Sequence, residues 1–221
     1  MALLNSYRAR GLRTALTTVR NELGVSRMHL RGIREVKAYQ GKNKLRLNIG
    51  CGPNRKEGWI NIDLIPTADL TLDMRESIQL PSASCQIIYS EHFFEHLDYP
   101  SDAKRFLTEC LRLLEPGGVF SIGVPDTEWP LRAYAGVDDA HYFESARGWH
   151  PSWCRTRIEH INYHFRQGTE HRFAYDFETL RDALAATGFV NVRRREFDSN
   201  LDSESRKLGT LYVDAIRPQP T

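Results

Sequence analysis

One stretch constrains this chain more than any other: Leu45 to Leu64, LRLNIGCGPNRKEGWINIDL. Leu45, Leu47 and Ile49 make an apolar run that stops at Gly50-Cys51-Gly52, and Trp59, Ile60, Ile62 and Leu64 supply a second run. The pattern predicts strand, tight turn, short connection, strand, the opening of an α/β sheet. Two glycines one residue apart let the backbone turn sharply and let a ligand lie against it with no Cβ in the way. Asp63 closes the second strand at its carboxyl end, where open α/β sheets bind ligands, and its carboxylate can accept two hydrogen bonds from a ribose diol. A dinucleotide fingerprint needs a third glycine and an acidic residue about 20 positions on. Here Arg55 holds the third-glycine place, ten residues separate Gly52 from Asp63, and no Gly-Lys-Ser/Thr phosphate loop is present. The stretch therefore suits a nucleoside with a zwitterionic tail and no phosphate.

The stretch resembles motif I of the class I S-adenosylmethionine-dependent methyltransferases, with Asn48 in the usual acidic place and Asn54 in that of the last glycine. It also resembles a bacterial methyltransferase subgroup with the pattern N-x-G-C-G-x-N…G-W-x-N-x-D, often encoded among polysaccharide genes. The resemblance runs from about Leu45 to Ile216. It implies a Rossmann-like α/β fold, a seven-stranded, mostly parallel sheet with one antiparallel strand and helices on both faces. It implies S-adenosylmethionine as cofactor, touched by Asn48, Gly50, Cys51, Gly52, Asp63, Leu64, Ser90 and Glu91. Asp73, at the end of a short strand over Ala68–Asp73, and Met74 fill the places that receive adenine.

The rest of the chain follows in order. Gln86–Tyr89 is the next strand, and a helix begins at Ser101 with Phe106, Leu107, Cys110, Leu111 and Leu114 inward. Pro116-Gly117-Gly118 ends it before the strand Val119–Val124. Residues 125–170 lose regular patterning and are rich in Trp, Tyr, His and Arg; a connection this long inside a domain is usually functional, and it reads as an acceptor lid. Within it Arg155–Phe165 reads as a helix with Ile158, Ile161 and Phe165 inward. Asp176 caps a last helix that Gly188 ends, and Val190–Phe197 with Thr210–Ile216 reads as a closing antiparallel hairpin.

Residues 1–43 form a basic helical arm or cap, and 44–221 the main domain. The net charge of +2 hides an asymmetry: residues 1–46 carry eleven Lys/Arg against two Glu. Leu12, Leu16, Val19, Leu23 and Val25 share a face that reads as packed on the domain, with Gly24 and Gly32 dividing the arm into two or three short helices. A basic amphipathic arm can also lie on an anionic membrane surface, so the expected location is cytoplasmic, with peripheral contact to the inner face of the membrane as the alternative to a packed cap. No nucleic-acid-reading module accompanies the basic residues. The four cysteines show no paired spacing and read as small buried hydrophobes.

A hydroxyl acceptor of a methyl group benefits from a base or a metal, and histidine is the usual base near neutral pH. Seven of eight histidines lie between residues 92 and 171, which points toward O-methylation. His92 is the first candidate base, with His164 and His171 next. His92-x-x-Glu95-His96 matches an inverted zinc-protease pattern, but it follows a strand of a nucleoside-binding sheet, and that reading is rejected. The favoured reading has no metal. Its variants are a metal-assisted natural-product O-methyltransferase using Glu95, His96 and a lid histidine, and a catalytically silent binding module.

Overall fold

The computed structural model describes residues 9–137 and 140–220. Its centre is a six-stranded sheet in the order β2-β1-β3-β4-β6-β5. The strands are β1 Leu45–Ile49, β2 Ile60–Ile62, β3 Cys85–Glu91, β4 Leu114–Pro125, β5 Val190–Arg194 and β6 Thr210–Ile216. The first four are mutually parallel, and β6 runs antiparallel to both β4 and β5. The α/β class and the single antiparallel strand agree with expectation; the count is six rather than seven. Ala68–Asp73 contributes one isolated bridge, Ile62 to Leu70. There the Asp69 carboxylate accepts from Asn61 N at 2.9 Å and Asn61 Nδ2 at 2.8 Å. A side chain thus takes the backbone donor that a further ladder would use.

The two sheet faces differ in chemistry. One carries Leu47, Ile49, Ile88, Phe120, Ile122 and Val213, buried in one cluster with Phe106, Leu107 and Cys110 of α2 (Ser101–Leu113) and Leu180 and Leu184 of α6 (Phe177–Thr187). Each such side chain contributes on the order of 1.5–3 kcal/mol by burial. The other parity presents a polar row, Asn61, Asn48, Tyr89, Ser121, Asp214 and Arg193, each opposite the next across all six strands. Residues 195–206 cover it. Asp202 accepts from Tyr89 OH at 3.0 Å and from Arg195 at 2.5 and 2.6 Å, and Arg195 Nε donates to Ser121 Oγ at 3.1 Å. Buried charges survive because they are paired.

The arm is one helix, α1 (Arg10–Val36), that runs through both glycines. Gly32 is a contact point and not a break: a Cβ there would stand 2.3 Å from the Thr71 carbonyl oxygen. Thr71 Oγ1 donates to Met28 O at 3.1 Å, and Asp73 N donates to His29 Nδ1 at 3.1 Å. The face turned to the domain therefore holds Gly32 and Val36, which are buried. Most of the face expected to pack lies outside instead: Leu12, Leu16, Val19 and Leu23 are more than half exposed, as is Leu30, while Val25 is half-buried.

The lid holds three helices, α3 (Glu128–Tyr134), α4 (Ala140–Ala146) and α5 (Arg157–Arg166). Their own small core is Ala133, Tyr142, Phe143 and Ala146, backed by Trp129 and Ile161. α5 opens with a capping box between Thr156 and Glu159. Ile158, expected inward, is 49% exposed, and His160 takes the buried place. The Asp176 and Gly188 caps of α6 form as expected, Asp176 accepting from Thr179 N at 2.8 Å.

Candidate active site

The glycine turn is built as its residues require. Gly50 and Gly52 have φ of +67° and +48°, angles that L side chains avoid. A Cβ on Gly50 would meet Phe93 at 2.4 Å, whereas one on Gly52 would meet nothing within 4 Å. The first glycine admits a neighbouring ring; the second leaves backbone open. Asp63 Oδ2 accepts from Gly52 N at 2.7 Å and Oδ1 from Leu64 N at 2.6 Å. Each oxygen keeps a second lone pair, so the carboxylate both fixes the turn and can receive a diol. Cys51 is buried, and burial pushes its thiol up to about 11, so it is no nucleophile at neutral pH.

No helix joins β1 to β2; asparagines hold the connection. Asn48 Nδ2 donates to Asn54 O at 3.0 Å and Asn61 Oδ1 at 2.9 Å, and Asn61 Oδ1 also accepts from Lys56 N at 2.8 Å. Asn48 is thus committed to the turn. Two other proposed cofactor contacts are likewise engaged internally. Asp73 is gripped by Arg75 at 2.8 and 3.0 Å, and Arg75 reaches on to Glu22 of α1 at 2.9 Å. Glu91 accepts from Ser203 Oγ at 2.5 Å and Tyr212 OH at 3.2 Å. Met74 is buried in the main core. Ser90 differs: it sits opposite Ile49 and Ile122 in an otherwise apolar row, and its hydroxyl is buried with no hydrogen-bond partner. An open Gly52, an Asp63 with spare lone pairs and an orphaned Ser90 fit a nucleoside bearing an amino-acid tail.

His92, His164 and His171 come together around one cavity of about 330 Å³, which Trp149, Gln167 and Arg206 also line. His92 follows β3 with φ of +53°, and Phe93, the next residue, is the ring on Gly50. The cavity and the glycine turn are therefore neighbours along the chain. Burial pushes all three histidines below the ordinary imidazole range, His164 to about 3. All three are neutral at pH 7 and present unprotonated ring nitrogens, although so low a value makes His164 a weak base. His164 Nε2 is buried with no partner.

Sequence reasoning gave little weight to three features. Glu95 is 1% exposed and lies 3.9–4.0 Å from ring nitrogens of His92, His96 and His171. Arg206 donates to the Glu91 carbonyl at 2.6 Å and borders the cavity. In the lid, His150, Cys154 and His160 converge, with His150 Nδ1 2.8 Å from His160 Nδ1. Of the three, only Glu95 left a signal in the sequence, in the His92-x-x-Glu95-His96 pattern.

The His150–His160 contact shares one proton, so charging both rings breaks it. Burial lowers the pKa of both, His150 to about 4. An opened lid thus takes up protons first as pH falls below the ordinary histidine value near 6.5, and closure weakens as pH drops. Protection factors across residues 140–166, corrected for the slower intrinsic amide exchange at lower pH, should fall between pH 7 and pH 5, and His150→Phe should flatten that dependence.

Comparisons with known proteins agree with this geometry. Residues 47–122 match the family model described as a methyltransferase domain. A probable S-adenosylmethionine-dependent methyltransferase of Mycolicibacterium smegmatis is 34% identical over 61 residues, covering 28% of this chain and 23% of that protein. The chain thus spans under a quarter of that relative's length. A SAM-dependent methyltransferase from Archaeoglobus fulgidus superposes with a TM-score of 0.51 at 21% identity, over 88% of this chain and 93% of that one. One from Methanosarcina mazei does so with a TM-score of 0.51 at 15% identity, over 84% and 97%. The chain has the class I methyltransferase fold, its residues 47–122 match a methyltransferase domain, and its cofactor is S-adenosylmethionine.

Proposed function

We propose that this protein transfers a methyl group from S-adenosylmethionine to a hydroxyl of a small-molecule or saccharide acceptor held under the lid, with polysaccharide biosynthesis as its setting. The observation that carries this reading is the cavity, where three neutral histidines meet and one of them, His92, directly precedes the ring that covers Gly50. The cofactor supplies an activated methyl on sulfur and leaves as S-adenosylhomocysteine. The chain's own part is to hold the nucleoside with Gly52 and Asp63, exclude water with α3–α5, and take the hydroxyl proton on a histidine ring nitrogen. The test is transfer of labelled methyl to a panel of saccharides, phenols and amines. Label on hydroxyl acceptors is expected, and His92→Ala should cut turnover by roughly 10²–10⁴-fold, the range for a lost general base, with cofactor affinity unchanged. Label on amines alone would overturn the hydroxyl assignment.

The arm favours a second contact, with an anionic membrane surface at the cytoplasmic face. Leu12, Leu16, Val19, Leu23 and Leu30 form an exposed stripe on α1, and Arg13, Arg20, Arg27 and Arg34 recur every seven residues beside it. An apolar stripe flanked by cations matches lipid tails below negatively charged headgroups. No described helix is long and apolar enough to cross a membrane, so the contact is peripheral. The chain should float with phosphatidylserine vesicles and not with phosphatidylcholine ones. Leu16→Glu with Leu23→Glu should abolish flotation; unchanged flotation of that double variant would reject this contact.

A further inference from the structure

We infer that Glu95, His96 and His171, with His92 beside them, form a binding site for a divalent first-row transition-metal ion. The reasoning starts from where the protons are. His96 Nδ1 lies 3.1 Å from the Glu170 carbonyl, and His171 Nδ1 lies 3.1 Å from the His164 carbonyl. A carbonyl only accepts, so both Nδ1 atoms carry hydrogen and both Nε2 atoms present lone pairs. His92 Nε2 lies 2.8 Å from Thr210 Oγ1, whose own proton goes to the Arg206 carbonyl at 2.6 Å. His92 Nε2 is therefore the donor, and its Nδ1 presents a lone pair as well.

These three lone pairs converge on one carboxylate oxygen. Glu95 Oε1 lies 3.9 Å from His92 Nδ1, 3.9 Å from His96 Nε2 and 4.0 Å from His171 Nε2. Both Glu95 oxygens are buried and neither has a hydrogen-bond partner. The ligand atoms of Glu95, His96 and His171 all lie within 4.8 Å of one another. A point between them is roughly 2.5 Å from each, a few tenths of an ångström beyond the 2.0–2.2 Å bonds of zinc to nitrogen and oxygen. Acceptors facing acceptors around a buried carboxyl group are reconciled by a proton on Glu95 or by a cation among them, and the convergence of three imidazole lone pairs on one oxygen favours the cation. Imidazole Nδ1–H bonds to backbone carbonyls are what metal-ligating histidines use to fix their tautomer. Two imidazoles and one carboxylate suit zinc, iron(II), cobalt(II) or manganese(II) better than magnesium, which prefers oxygen.

The position is also framed by backbone. Arg172 N and Phe173 N donate to the Glu95 carbonyl at 2.7 and 3.2 Å, which holds the segment after His171 against the turn that carries Glu95 and His96. His92 and His171 border the acceptor cavity, so the ion would stand at its wall. There it could bind the acceptor hydroxyl and lower its pKa; that use rests on the methyl-transfer reading, whereas the site itself does not.

The test is titration of the metal-stripped full chain with cobalt(II) and zinc(II), followed by calorimetry and visible ligand-field absorption. One equivalent should bind. Glu95→Gln, which keeps the shape, and His171→Ala should each weaken binding by at least about 100-fold, the upper end of what losing an outer-shell partner costs. Cys154→Ser, in the other histidine cluster, should leave it unchanged. The inference fails if the unaltered chain binds neither ion at large excess. It fails equally if Cys154→Ser removes the binding and Glu95→Gln does not. Affinity for S-adenosylhomocysteine, measured on the same samples, reports the methyltransferase reading separately, and the unaltered chain alone decides should a variant unfold.

Discussion

Asp202→Ala is expected to cost about 3–5 kcal/mol of folding stability, the range for a buried ion pair that loses one partner. The Asp202 side chain is fully buried and Arg195 is 13% exposed. The carboxylate also accepts from Tyr89 OH and from Asp198 N at 2.7 Å. Its removal leaves a guanidinium under the sheet with the Asp214 carboxylate, at 3.2 Å, as its remaining ion-pair partner. Urea unfolding gives the number, and Asp202→Asn separates charge from shape: it should lose most of the stability while keeping the packing. A loss under 1 kcal/mol for alanine would mean that water reaches Arg195 and the 195–206 cover is loose.

Asp63→Ala carries the other large effect. It should weaken S-adenosylhomocysteine binding by about 1–3 kcal/mol, as expected when polar partners are left unpaired. Two losses combine. The ribose would lose an acceptor, and the Gly52 and Leu64 amides would lose the one they have now. Calorimetric titration measures the affinity, and a thermal melt of the unliganded variant reports the second loss alone. If the affinity does not move, the diol is held elsewhere and Asp63 serves only the turn.

What was legible in the chain was local. Gly50, Gly52 and Asp63 stand out because a tight turn and a carboxylate at a strand end have signatures within twenty residues. The caps of α6 were legible for the same reason. The crowding of histidines into one stretch likewise pointed to the cavity that His92, His164 and His171 now line. Contacts distant in sequence were not legible. Nothing near Asp73 says that Glu22, more than fifty positions away, will hold the arginine that grips it, and nothing near Glu91 announces Ser203 and Tyr212, more than a hundred positions away. The arm misled for a physical reason. Its leucine stripe is the obvious inner face by hydropathy, but Gly32 approaches the Thr71 carbonyl so closely that the glycine side docks instead. Asp69 also misled, since its side chain replaces the ladder that would have made a seventh strand. In Glu95 the identity of the residue was plain, and its isolation among acceptors was not.

The line of polar residues through the sheet has a consequence for how the chain finds its pairing. Side chains alternate sides along a strand, so slipping any strand by one place exchanges its wet and dry edges. Here such a slip would push Asn48, Tyr89 or Asp214 into the oily interior and lift Leu47, Ile88 or Val213 toward the arginine. Every misaligned sheet thus strands a charge or an amide without company. The line works as a vernier: six strands can be read against one another in a single alignment, and that alignment also brings the ends of β1 and β3 level, where the glycine turn and His92 begin.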